Sequence, residues 1–138
     1  MYATAQDMRD RYGEAVLVQL TDTSTWGAAT IAAIEVKLTD ATFEADGYVS
    51  KYYKANSGTP VPPLLKMYVM RIAFADLAQN PTEEATKQRD RAIAALVKVS
   101  QGLIKLDQGD PAALESRDGQ VIVPEAERTF SRNRLSDF

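Results

Sequence analysis

The sequence contains no cysteine and no histidine. Without cysteine there is no disulfide and no thiolate nucleophile, and without either residue there is no Cys/His zinc site. The side chain best suited to general acid–base work near neutral pH is also missing. Paired carboxylates or a Ser–Lys pair remain as catalytic options, but the composition points away from an enzyme. No apolar run approaches 18 residues, so no transmembrane helix is expected. The opening "MYATAQDMRD" has neither a basic region nor an apolar core, so it does not read as a secretory signal, and a cytoplasmic folding site is expected.

What is present is ordinary for a globular chain. The 138 residues are 45% hydrophobic and 25% charged, enough for one domain with its own core. The net charge is −3 and unevenly spread. Residues 1–50 carry eight acidic and three basic side chains; residues 51–138 carry eleven acidic and thirteen basic. This falls far short of the basic patch of a duplex-binding domain. It describes a solvated mixed surface, or subunits that stack acidic face to basic face.

Four helices are expected. "YATAQDMRDRYGE" reads as a short one, with Thr4 as N-cap, Asp7 as its capping-box partner and Gly13 as the stop. "AVLVQLTD" fits either a second short helix or an extended piece. From Ala28 to about Lys54, Ile31, Ile34, Leu38, Ala41, Ala45, Tyr48 and Tyr52 recur at spacings of three and four, one apolar stripe on a long helix. Gly47 weakens that helix by about 1 kcal/mol relative to alanine and marks a kink or a close helix contact. "NSGTPVPP" ends it, and the second proline pair opens a helix running to about Gln79 that is apolar on most sides. Thr82 caps a last helix with Glu83 and Glu84 in its first turn. Its stripe is Ala85, Ala92, Leu96, Val99 and Leu103, interrupted by Arg89 near the start and blemished by Gly102.

The predicted fold is therefore all-α. Three main helices plus a short N-terminal one form a small antiparallel bundle over residues 1–106. Residues 107–138 form an extended loop and C-terminal docking arm, with a short β-like "VIV" at 121–123. The arm ends in "ERTFSRNRLSDF", where Phe130, Leu135 and Phe138 stand among Arg128, Arg132 and Arg134. Solubilising tails are poor in aromatics, whereas arginine and aromatics are enriched at interfaces. These six residues are the candidate partner-docking set; packing back on the chain's own bundle and plain disorder are the alternatives.

No phosphate-loop, dinucleotide, zincin, nucleophile-elbow or EF-hand pattern occurs. Asp40, Glu44 and Asp46 suggest a metal or acid–base group, but no other ligand type accompanies them and a solvated acidic face explains them better. Ser50 and Lys54 mimic a Ser–Lys dyad without an oxyanion-hole signature. Tyr48, Tyr52 and Tyr53 beside Lys51 and Lys54 suggest a nucleic-acid stacking surface. The simpler reading puts Tyr48 and Tyr52 in the core and Tyr53 on its boundary. Trp26, at a turn, caps the bundle or anchors an interface. No metal and no cofactor is expected.

Several segments occur together in a telling order: "YATAQDMRDRYG", "DATFEADGYVSKYY", "VPPLLKMYVMRIAFADL", "KQRDRAIAALVKVSQG" and "RTFSRNRLSDF". In this order the chain resembles a family of small proteins encoded in Mu-like phages and prophages, among virion morphogenesis genes. That family is similar to the head–tail connectors, or adaptors, of tailed phages. The resemblance implies a mostly helical structural protein that assembles with copies of itself, with the portal's twelve-fold symmetry, as a ring beneath the portal protein. The ring extends the DNA channel, through which DNA passes without specific contacts, and presents a surface to the next connector or tail component. It implies a place at the head–tail junction of the virion, reached from the host cytoplasm, and no membrane partner. Docking on the portal would fall to Arg128, Phe130, Arg132, Leu135 and Phe138; the loop 56–63 would face the channel or the adjacent subunit. Two other classes stay open: a small helical nucleic-acid-binding or regulatory module, whose DNA binding would weaken steeply with salt, and a carboxylate enzyme, which metal would stabilise thermally.

Overall fold

The computed structural model describes residues 1–54 and 58–106, which belong to one compact unit. The docking arm and the VIV run lie outside the described residues. Those described form five helices and no strand: α1 (Ala5–Tyr12), α2 (Glu14–Leu20), α3 (Ala28–Val49), α4 (Pro63–Leu77) and α5 (Glu83–Ser100). The fold is the all-α bundle expected, with α2 settled as helix.

Local chemistry sets most of the helix starts. The Thr4 hydroxyl accepts from the Asp7 N–H at 3.2 Å, and the Asp7 carboxylate accepts from the Thr4 N–H at 2.8 Å, a complete capping box. Gly13 ends α1 and precedes α2 at φ 89°, ψ 148°, a conformation that an L side chain strains to reach. Pro63 opens α4, where its missing N–H costs no hydrogen bond. The Thr82 hydroxyl caps α5 by accepting from the Ala85 N–H.

α3, α4 and α5 pack on one another, and α1 lies against α3. The core takes Ile34, Leu38, Ala41, Ala45 and Val49 from α3, and Ala92, Leu96 and Val99 from α5. It takes residues from much of the circumference of α4, including Leu65, Val69, Ile72 and Ala73. α4 is thus the central helix that its all-round apolar character predicts. Ile31 and Tyr48 are partly buried against this core. The buried Thr30 and Thr42 are satisfied by backbone carbonyls, Thr30 to Thr25 and Thr42 to Leu38. Among the described residues no buried polar side-chain atom lacks a partner.

Two expected core residues are instead exposed. Tyr52 is 46% exposed, because α3 stops at Val49 and the helical stripe stops with it. The next turn folds over: the N–H groups of Tyr52 and Tyr53 both donate to the Val49 carbonyl. Tyr53 takes the buried position, edge-on to the Tyr2 ring at 5.6 Å, with its hydroxyl donating to the Thr59 carbonyl. Leu103 is 71% exposed because α5 ends at Ser100. Gly102, at φ 77°, donates to the Val99 carbonyl and Leu103 to the Lys98 carbonyl, the Schellman pattern of a glycine-terminated helix. The glycine that looked like a blemish inside the helix is its terminator.

Candidate interaction surfaces

The carboxylates Asp40, Glu44 and Asp46 do not converge. Asp40 is exposed on the outside of α3. Glu44 and Asp76 of α4 flank Arg89 of α5, at 3.3 Å and 3.1 Å. Arg89, which seemed to break the α5 stripe, thereby joins three helices. Asp46 accepts a hydrogen bond from the Tyr2 hydroxyl. Burial first, and that bond second, push the Tyr2 phenol well above its ordinary range. Among the described residues no group of three or more acidic side chains is placed to hold a metal. Ser50 caps the end of α3 and Lys54 lies beyond it, so the helical i, i+4 relation a dyad would need is not formed.

The tyrosines also separate. Tyr53 is buried, Tyr48 is half-buried and only Tyr52 faces solvent, with the Lys51 ammonium 5.6 Å from its ring centre. They do not make a row of stacking platforms. The Tyr52 hydroxyl, 3.5 Å from the Ser100 carbonyl, brings the C-terminal ends of α3 and α5 together. Lys51, Lys54, Lys98 and Lys105 are exposed on the segments around that corner. Lys98, in the last turn of α5, suits the dipole of that helix end. Trp26 is half-buried against the core, with the Arg9 guanidinium 5.1 Å from its ring centre, so it caps the bundle.

At the start of the chain, Asp7 ties α1 to α4. Burial would raise its carboxyl. Hydrogen bonds from Lys66 and from the Thr4 N–H and hydroxyl, together with the Lys66 charge, outweigh that and hold it below its usual range. Lys66 stands 2.6 Å away. Tyr12 stacks on Phe74 at 4.0 Å between ring centres; burial raises its phenol despite Arg11 and Arg71 nearby. Of the loop at 56–63, the described part from Gly58 to Val61 lines a cleft of about 410 Å³ with Met1, Tyr2 and Tyr53.

The surface that sequence reasoning missed is the outer side of α3. Phe43 is 69% exposed and Val36 58%. At the helical turn of 100° per residue they project opposite the Ile34–Leu38–Ala41–Ala45 stripe, in line with the exposed Ala32 and Gly47. A Cβ built on Gly47 meets nothing within 4 Å among the described residues, so none of them makes the close helix contact expected there. The signal was a second apolar set, Ala32, Val36 and Phe43, on the same helix as the first. Of the candidate docking residues Arg128, Phe130, Arg132, Arg134, Leu135 and Phe138, all lie outside the described residues.

These features define a small helical module with Val36 and Phe43 exposed on the outside of α3, and among the described residues no helix is long and apolar enough to cross a membrane. The family model described as "Bacteriophage Mu, Gp36" matches residues 2–124. The chain belongs to that family and is a bacteriophage protein. The matched span stops short of the terminal docking set. No curated protein matches the chain.

Proposed function

We propose that this protein is a structural head–tail connector of a Mu-like phage, an adaptor that forms a ring beneath the portal and joins head to tail. The observation that carries the reading is membership of the Mu family across nearly the whole chain. Support comes from a helical bundle whose longest helix carries Val36 and Phe43 exposed on its outer side, the kind of face a ring contact uses. The C-terminal residues Arg128, Phe130, Arg132, Arg134, Leu135 and Phe138 dock on the portal; the body contacts neighbouring copies and the next tail component. The role is structural, without catalysis, metal or cofactor.

The test is binding to the portal encoded in the same genome, comparing the full chain with one ending at Glu127. Rings on the portal with the full chain alone support both the connector reading and the role of the terminal residues. Equal binding by both assigns those residues elsewhere. No binding by a folded full chain refutes the connector.

A second reading, a nucleic-acid-binding module, draws on the four exposed lysines around the Tyr52 corner. It requires DNA binding that weakens steeply as salt rises.

A further inference from the structure

We propose that the outer face of α3 is a self-association surface whose occupant is the outer face of α5 from a second copy of this chain. The inference deepens the ring reading, but the two faces carry it.

The first face is apolar at its centre and acidic at its shoulders. Val36 and Phe43 project to solvent, with Ala32 and Gly47 in line above and below them. Small residues beside a large one form a relief into which a neighbouring helix can settle closely. Single exposed apolar residues are common on protein surfaces; here an aromatic and a branched side chain stand two turns apart on one stripe, with Met1 reaching Thr39 between them. Glu35 and Asp40 flank the stripe, one on each side, and among the described residues neither forms an ion pair.

The second face is complementary. Lys87, Arg91, Ala94 and Lys98 recur at spacings of four, three and four, and all are exposed. Lys87 is held by Glu83 at 2.6 Å, while Arg91 and Lys98 are in no ion pair among the described residues. No acidic residue occurs between Arg91 and Leu106. Ala94 leaves a low, uncharged place between the two free cations, where an aromatic ring can lie while Arg91 and Lys98 reach Asp40 and Glu35.

Charge decides between the possible occupants. Two α3 faces packed on each other would bring Asp40 and Glu35 toward their own copies, a like-charge contact that costs association. Two α5 faces would do the same with Arg91 and Lys98. The mixed pairing sets Asp40 and Glu35 opposite Arg91 and Lys98, with the exposed Asp90 and Glu84 at the border of the α5 face. Because the faces lie on different helices, each copy offers both at once. Such a head-to-tail contact builds a ring when its rotation closes.

The absence of cysteine makes the test clean. One full-length chain carries Thr39→Cys, central on the α3 face, and another Ala94→Cys, central on the α5 face. The two are mixed with a short bis-maleimide cross-linker. The mixed dimer is expected to exceed either homodimer by at least about tenfold, the ratio that separates a specific contact from collision. Phe43→Asp on the first chain should reduce it to collision level while leaving the circular dichroism and Tm unchanged, since the side chain is exposed. Glu35→Lys with Asp40→Lys on the first chain should weaken it, and Arg91→Glu with Lys98→Glu on the second chain should restore it.

Dominant Thr39→Cys homodimers, or a mixed yield no higher than the Phe43→Asp chain gives, overturn the proposal. A chain that never associates gives that second result. Portal binding is a separate readout. Cross-linking without portal binding keeps this contact and removes the connector reading. Portal binding without the mixed cross-link keeps the connector and removes this contact.

Discussion

Replacing Arg89 by methionine removes a guanidinium that joins α3, α4 and α5, while keeping most of its apolar stem. Its Nε donates to Asp76 at 3.1 Å, and one terminal nitrogen to Glu44 at 3.3 Å. Hydrogen bonds to charged groups contribute about 1.5–3 kcal/mol each when well sheltered. Here the three side chains are 31–34% exposed, so water screens part of that. The substitution also leaves two carboxylates facing each other across the vacated place. A net loss of about 1–2 kcal/mol follows, which in a bundle of this size is a fall of roughly 5–15 °C in Tm. The assay is thermal unfolding followed by circular dichroism at neutral pH. The same substitution combined with Glu44→Gln and Asp76→Asn tests the cause. If uncompensated carboxylates are the penalty, the triple variant regains most of the stability, because a whole charge cluster is cheaper to remove than one member of it. An Arg89→Met protein that melts with the wild type, or a triple variant no better than the single one, would refute this account.

Three further outcomes follow from the helix ends. Thr82→Ala removes the hydroxyl that caps α5 and should cost about 1 kcal/mol by urea unfolding, with Thr82→Ser close to wild type. Gly13→Ala forces a side chain into φ 89°, ψ 148°. It should cost about 1–3 kcal/mol although a Cβ there meets no neighbour among the described residues, so the loss is assigned to backbone strain. The Asp7 carboxyl is held below its unfolded value, so it contributes stability above the ordinary carboxylate pKa of about 4 that disappears as pH falls through its folded value. Asp7→Asn should therefore be less stable than wild type at neutral pH and converge with it in strong acid. A gap that stays constant across that range would show that charge is not the cause.

Much of this fold is written in residues three or four apart. The capping box of Thr4 and Asp7, the Pro63 start of α4 and the Thr82 cap join near neighbours along the chain, so the sequence alone determined where those helices begin. The stripes Ile34–Leu38–Ala41–Ala45 and Ala92–Leu96–Val99 were equally legible, because a helix's period is a local property. Helix ends were less so. Extending both stripes past their terminators placed Tyr52 and Leu103 inside when they lie outside, and Gly102 is an end signal only once the turn after Ser100 is seen.

Other features were decided by tertiary structure alone. Whether Tyr52 or Tyr53 is buried depends on Tyr2, some fifty residues earlier in the chain. Arg89 reads as a flaw in its own helix until Glu44 and Asp76 are brought to it from two others. α3 carries two apolar sets, and periodicity cannot say which one the bundle covers. Packing against α4 and α5 buries the side of Ile34 and Leu38. That choice leaves Val36 and Phe43 facing outward, because α3, unlike the central α4, turns only one side to the core.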